Sequence, residues 1–372
     1  TLTRKAVIVF TSKSAGGFNI ANFRILAISD CHFTNTSSST GTMHLNPKSE
    51  DSISVTIQKC TFTECKGRGI LLKLPQNSNG EFNINECTFS NCNPSDGQGS
   101  MIWYETENNV NEVKVIIENC HFSKIQGLSF KSESVASTYR YSKSNFDIIG
   151  CTFEECSIPN TDEGTVIYIS RTSCHIGLNI DGCTFNNCYG SEDRTGNLVF
   201  FNNPIGANDD GEKKFKFTNS MFSFDSSAKS SCAINAGQSY RTFEIENCTF
   251  INCAGDPVKN QYSPNANTIY VRGLGSNLII SECTFKGCGN RNGVTHGGGN
   301  IICTSNSLES IIFQHNTVES STAVLSTSTF NTKVIGNKVT DCGRNTFRFN
   351  GGDAGTDPYE IIGNYLKGGT NG

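Results

Sequence analysis

Cysteine is the residue with the most chemistry to offer here, and it is patterned. The chain holds eighteen cysteines, and Cys-Thr-Phe-x-x-Cys occurs six times, pairing Cys60 with Cys65, Cys87 with Cys92, Cys151 with Cys156, Cys183 with Cys188, Cys248 with Cys253 and Cys283 with Cys288. Cys-x2-Cys pairs of the metal-binding type are absent and the six histidines are scattered, which argues against zinc. Three uses of the thiols remain open. They fill a narrow core as small reduced side chains, they bridge within one motif, or they bridge between neighbouring copies. Carboxylates form the second group. Asp162 with Glu163, and Glu192 with Asp193, follow two consecutive motifs. Brought together they would suit Ca²⁺; kept apart they are ordinary solvated loop acids. No nucleophile motif, phosphate loop or metal-binding helix occurs. The glycine-rich run from Gly289 to Gly299 lacks the strand-to-helix context that phosphate binding needs.

The elements that must position these residues follow from the repeat. Taking the first cysteine of each motif as position 0, further copies start at Cys31, Cys120 and Ser220, and then at Asn316, Asn337 and Asn364. Position −3 reads Ile28, Ile57, Ile84, Ile117, Ile148, Ile180, Phe217, Ile245, Ile280, Phe313, Val334 and Ile361. Position −5 is apolar except at Thr332. Position +2 is phenylalanine from Phe33 to Phe285, then Val318, Val339 and Leu366. Eight cysteines stand at position 0 and seven at +5; Cys174, Cys232 and Cys303 stand outside both columns.

Apolar residues two apart make strands, since side chains alternate along an extended chain. The odd step from −3 to 0 demands a bend, and position −1 supplies Asp30, Asn119, Gly150, Gly182, Asn219, Asn247, Gly336 and Gly363, types that tolerate a left-handed backbone. Lys59, Glu86, Glu282 and His315 depart from this, so a less strained corner is expected there. A third strand follows a variable loop, as in Ile70-Leu71-Leu72, Ile167-Tyr168 and Ile269-Tyr270-Val271. The expected fold is therefore all-β: one right-handed, single-stranded parallel β-helix spanning 1–372, about twelve coils of three strands. At about 4.8 Å per coil this is a rod near 58 Å long. Asn316, Asn337 and Asn364 would form an amide ladder.

The 30 basic and 34 acidic residues nearly balance, which removes the electrostatic case for nucleic acid or an anionic membrane. No apolar run is long enough to span a bilayer as a helix. The chain opens without a signal peptide and ends without an obvious cap, so an excerpt of something longer is expected. The cysteine count leans toward an oxidising compartment. Sequons at Asn35 and Asn247 would accept glycans there.

Phe-x-x-Cys after each corner, with glycine before an aliphatic strand as in Gly297-Gly298-Gly299-Asn300-Ile301, resembles the repeats of polymorphic outer-membrane proteins and related protist surface proteins. Here cysteine replaces the asparagine of their Phe-x-x-Asn element, and the glycine element is degraded. The resemblance implies a non-catalytic extracellular or cell-surface adhesin rod, and no catalytic residue transfers from it. Partners would be host or neighbouring-cell surface molecules or glycans, or further copies stacked into filaments. The longest insertions, Glu105–Glu112, Phe130–Asn145, Asn202–Lys214 and Ala254–Asn267, would form the binding face, with Tyr139, Tyr141 and Tyr262 as aromatic contacts. The alternative is a lyase or hydrolase acting on an acidic polysaccharide, with no cofactor beyond possible Ca²⁺. Asp162, Asp209-Asp210 and His296 follow the order of polygalacturonase acids, but Asp162 to Asp209 and Asp210 to His296 span 47 and 86 residues, too many coils for one sugar-binding cleft.

Overall fold

The computed structural model describes residues 9–11, 17–37, 41–47, 52–66, 68–74, 78–92, 101–106, 112–125, 128–132, 145–156, 166–169, 177–188, 197–201, 214–225, 232–236, 242–253, 267–272, 276–289, 300–305, 308–329, 331–343, 346–349 and 359–368. These form only strands and their corners, wound into a parallel β-solenoid. Sheet A has 13 strands, from Val9–Thr11 to Tyr365–Lys367. Sheets B and C have 12 each, from Phe18–Ala21 to Phe347–Phe349 and from Ile25–Ser29 to Glu360–Ile362. Each strand pairs in parallel with its counterparts one coil away, so a column in the sequence is a column in space. Coils are numbered here from Cys31 (coil 1) to Asn364 (coil 12).

The inward columns make one continuous core. Val55, Ile57, Phe62, Ile148, Phe153, Ile180 and Phe185 are at most 1% exposed in it. Phe62 lies over Phe33 and under Phe89 in strict register, and the nine rings from Phe33 to Phe285 stack at 4.7–5.0 Å. From Phe89 to Phe285 successive ring planes differ by only 2–5°. Neighbouring strands ordinarily twist by about 20–25°. Sheet A thus advances almost by pure translation, which keeps like side chains in register over many layers. Thr332, the polar residue of its column, is fully buried and donates its hydroxyl to the Thr329 carbonyl at 2.8 Å.

All twelve residues at position −1 have a left-handed backbone, with φ between 50° and 63°. The expectation of a relaxed corner at the four atypical residues is corrected: Lys59, Glu86, Glu282 and His315 have φ of 54°, 52°, 56° and 54°. Stacking imposes the backbone of the neighbouring coils whatever the side chain. Each such residue costs about 1–2 kcal/mol locally. In return its N–H donates to the −2 carbonyl of the next coil, as Lys59 does to Asn85 at 3.0 Å and His315 to Ile335 at 2.9 Å.

A second left-handed corner closes sheet A at position +4. Asn35, Glu64, Asn91, Lys124, Glu155, Asn187, Asn252, Gly287, Ser320, Asp341 and Gly368 all have φ between 49° and 73°. Phe224 of coil 7 is the exception in this column; it turns a buried ring inward instead. Among the described residues no helix is long and apolar enough to cross a membrane.

Candidate functional site

The thiols come first, because they are the densest reactive groups. The seventeen described cysteines are free, and sixteen of them are buried. Position 0 has a specific hydrogen-bonding task. Its side chain donates to the −3 carbonyl of the preceding coil, as Cys87 does to Ile57 at 3.6 Å, Cys183 to Ile148 at 3.3 Å and Cys248 to Phe217 at 3.4 Å. In several coils it also accepts the position 0 N–H of the preceding coil. Cys60 N–H points to the Cys87 sulfur at 3.5 Å, and Cys248 N–H to that of Cys283 at 3.4 Å. Where the column changes residue the task survives. Cys183 N–H donates to the Ser220 hydroxyl at 3.0 Å and Cys283 N–H to the Asn316 side-chain oxygen at 2.9 Å. The expected amide ladder then runs on, Asn316 to Asn337 at 3.0 Å and Asn337 to Asn364 at 2.9 Å.

Position +5 repeats the arrangement one strand later. Cys92, Cys188 and Cys288 donate to the carbonyls of Phe62, Phe153 and Phe250 at 3.3–3.5 Å. Cys65 and Cys288 donate their own N–H to the Cys92 sulfur and the Ser321 hydroxyl. Both columns thus place a donor–acceptor side chain directly after a left-handed residue, where the corner takes the backbone out of the regular ladder. Burial pushes the Cys120, Cys188, Cys253 and Cys283 thiols above their ordinary range, and that of Cys303 up to about 11, whereas hydrogen bonds from neighbouring thiols of the same columns hold Cys65, Cys87, Cys151 and Cys248 below it. The buried thiols of both columns bond backbone groups of the neighbouring coil, so the task observed for them is structural.

The outer face of sheet B differs from those of sheets A and C in carrying large side chains that are buried. Its outward column includes His44, Leu71, Trp103, Tyr168, Asn235, Tyr270, Cys303, Ser326 and Arg348. Leu71, Trp103, Tyr168 and Tyr270 are at most 8% exposed, yet they lie outside the core cluster. The Arg68 guanidinium sits 4.0 Å over the Trp103 ring from the preceding coil, a cation–π contact that covers one face of the indole. From Leu71 to Tyr270 the described side chains on the outer face of sheet B are thus buried, whereas the outward columns of sheets A and C are mostly half-buried or exposed. The signal was present in the third strands. Ile-Leu-Leu, Ile-Trp-Tyr, Ile-Tyr-Ile and Ile-Tyr-Val are unbroken apolar runs, the pattern of a strand buried on both sides, and they do not alternate as the other strands do.

Asp162, Glu163, Glu192 and Asp193 lie outside the described residues, as do Tyr139, Tyr141 and Tyr262 and the polygalacturonase-like Asp209, Asp210 and His296. Among the described residues no group of three or more His, Cys, Asp or Glu side chains is arranged to hold a metal ion. The two sequons differ in setting. Asn35 is exposed at a +4 corner. Asn247 is also exposed, but its amide nitrogen donates to Asn219 at 2.7 Å, and Asn219 in turn donates to Asp181 at 2.8 Å. A glycan on Asn247 would attach to an atom already used in a corner ladder. Comparison of the chain with protein-family models, curated proteins and solved structures returns no match.

Proposed function

We propose that the chain is a non-catalytic rod, displayed outside the cell or on its surface, that holds binding loops along one edge. One observation carries this reading. From position −5 to position +5 every coil has the same length, yet successive coils differ from 21 residues (Asn316 to Asn337) to 37 (Cys183 to Ser220). All of that variation falls in the two connections that enter and leave sheet B. Sheets A and C and their corners are held to an invariant count by stacking, and sheet B is where the chain is free to vary. Connections that vary on a rigid scaffold are where recognition is built.

The surface setting draws its support from the similarity to polymorphic outer-membrane protein repeats and from the exposed Asn35 sequon. Glycans, or proteins on a host or neighbouring cell, are the partners this reading names. The test is binding of the labelled chain to glycan arrays and to intact cells, alongside a variant in which residues 133–144, bearing Tyr139 and Tyr141, are replaced by a short Gly-Asn turn. Binding lost in this variant at unchanged melting temperature is the expected result. Release of reducing ends from polygalacturonate or alginate, abolished by Asp162→Ala, would replace the rod by the enzyme.

A further inference from the structure

Cysteines in the +5 column come two by two. Cys65 is paired with Cys92, Cys156 with Cys188 and Cys253 with Cys288, always in adjacent coils, and every one of these thiols is free and buried. Ile125 of coil 4 and Asp225 of coil 7 separate the pairs, Thr36 and Ser321 bound them, and Cys342 stands singly in coil 11. The two sulfurs of a pair are related by translation. Each lies 3.2–3.6 Å from the +3 carbonyl of its own coil and 3.3–3.8 Å from the +2 carbonyl of the preceding one. Sulfur therefore repeats with the layer. Beside the three pairs that step is 4.7, 4.7 and 4.8 Å, read from the Phe62–Phe89, Phe153–Phe185 and Phe250–Phe285 rings. A disulfide wants Cβ atoms about 3.8 Å apart, which this step exceeds by about 1 Å. A cation in line between two thiolates, with bonds of about 2.3 Å, needs the sulfurs about 4.6 Å apart. The fold imposes nearly that separation.

We infer that each of these three pairs binds one soft monovalent cation of the copper(I) class, held in line between its two sulfurs. Thiolate selects such a cation by its softness. Among the described residues no third His, Cys, Asp or Glu joins a pair in a metal-holding group, so zinc, which takes four ligands, finds no site there. Uptake of one ion forms two metal–sulfur bonds and releases two thiol protons. No electron moves, because copper enters already as Cu(I). The filled pair carries one negative charge, and donors aimed at the sulfurs offset it. In the first pair the Cys92 sulfur accepts the Cys65 N–H at 3.4 Å. Hydrogen bonds from Cys92, and then from the Thr36 and Thr42 hydroxyls, bring the Cys65 thiol down to about 6. Cys65 and burial push Cys92 up, so this pair gives up one proton readily and keeps the other until a cation displaces it. Position 0 has the same step, but there six thiols follow one another from Cys31 to Cys183 and no two are set apart. The inference makes no use of the loops at sheet B, so glycan or cell binding can fail while it stands, and the reverse.

Anaerobic titration of the full chain with Cu(I), supplied as its acetonitrile complex against a bicinchoninate competitor, tests it. Native mass spectrometry counts the ions and X-ray absorption reads their coordination. The decisive variant combines Cys92→Ser, Cys188→Ser and Cys288→Ser. Serine suits this column, since Ser321 there accepts the Cys288 N–H at 3.1 Å and donates to the Glu319 carbonyl at 3.0 Å, and the far-ultraviolet dichroism of the parent should persist. The triple variant should bind three fewer ions than the parent. Each single variant should bind one fewer, which keeps the test decisive should the triple variant unfold. Copper in the parent should show two sulfur neighbours at about 2.3 Å and no third. Equal uptake by the parent and the serine variants would overturn the inference. Three or four sulfurs around each ion would also overturn it, as would uptake that occurs only as the dichroism of the fold is lost, because the unfolded chain would then be making the site.

Discussion

Replacing Cys87 by serine, by valine and by alanine separates two accounts of the cysteine columns. Cys87 is 1% exposed, its sulfur accepts the Cys60 N–H at 3.5 Å, and its thiol donates to the Ile57 carbonyl at 3.6 Å. If the thiol were only a small apolar filler, valine, close to it in size, would cost little and serine would cost more. If position 0 is a donor–acceptor post, the order reverses. Valine and alanine leave the buried Cys60 N–H without its acceptor, a loss of about 1–3 kcal/mol, taken near the low end because sulfur is a weak acceptor. Serine can still accept and donate, as Ser220 does in coil 7: it accepts at 3.0 Å and donates its hydroxyl to the Thr218 carbonyl of its own coil at 2.8 Å, the counterpart of the 3.4 Å bond from Cys87 to Asn85. Serine should therefore be the best tolerated of the three, with valine about 1–1.5 kcal/mol worse, a roughly tenfold difference in the opening of coils 2 and 3. Long repeat arrays need not unfold in one step, so amide hydrogen exchange at Cys60 and its neighbours is the right assay. Exchange in Cys87→Val as slow as in the parent, or slower than in Cys87→Ser, would refute the reasoning.

Other consequences are as direct. Lys124→Gly or Glu155→Gly should stabilise the fold by about 0.5–1 kcal/mol, since relief of a left-handed non-glycine residue outweighs the extra chain entropy of glycine; thermal melts check it. The Lys124–Glu155 ion pair at 3.4 Å is too exposed to reverse that sign. Phe153→Ala, in the middle of the ring stack, should cost about 3–5 kcal/mol and lower the denaturation midpoint of the central coils. The sixteen buried described thiols should resist maleimide in the native protein at neutral pH without reductant, and denatured protein should gain eighteen adducts by intact mass; fewer would mean disulfides. Thiols raised by burial keep their protons in the folded chain after the unfolded chain has lost them. The contribution of Cys303, raised by burial to about 11, should be present below about pH 9 and lost as pH rises through about 11, as alkaline melts of the parent beside Cys303→Ser would show.

The sequence made the inward columns legible because stacking demands the same side chain in every layer, and only Thr332 broke them. The corners were half legible. Glycine, asparagine and aspartate announced position −1, but Lys59, Glu86, Glu282 and His315 adopt the same φ because neighbouring coils impose it, and no local preference reveals that. Position +4 was hidden for the same reason behind Glu64, Lys124, Glu155 and Ser320, although Asn35, Asn91, Asn187, Asn252 and Gly287 mark it once the columns are aligned. The exchange of cysteine for serine and asparagine at position 0 was visible as substitution, and its cause, a shared need to donate and accept, emerged only with the distances. The outer column of sheet B was written in unbroken apolar runs such as Ile102-Trp103-Tyr104. The connecting segments carry no such signal, since their residue count changes from coil to coil and no column can be aligned through them.

Everything above depends on layers that advance by one fixed step however many residues each coil contains. Spin labels on outward +1 positions of sheet A, introduced as unnatural amino acids so that native thiols stay untouched, read that step by pulsed dipolar spectroscopy. Pairs at 61 and 184, 88 and 284, and 61 and 317 are four, six and eight coils apart and should lie about 19, 29 and 38 Å apart, linear in coil number at about 4.8 Å each. Distances that instead followed the number of intervening residues, or failed to grow linearly with coil number, would contradict the solenoid and the functional reading built on it.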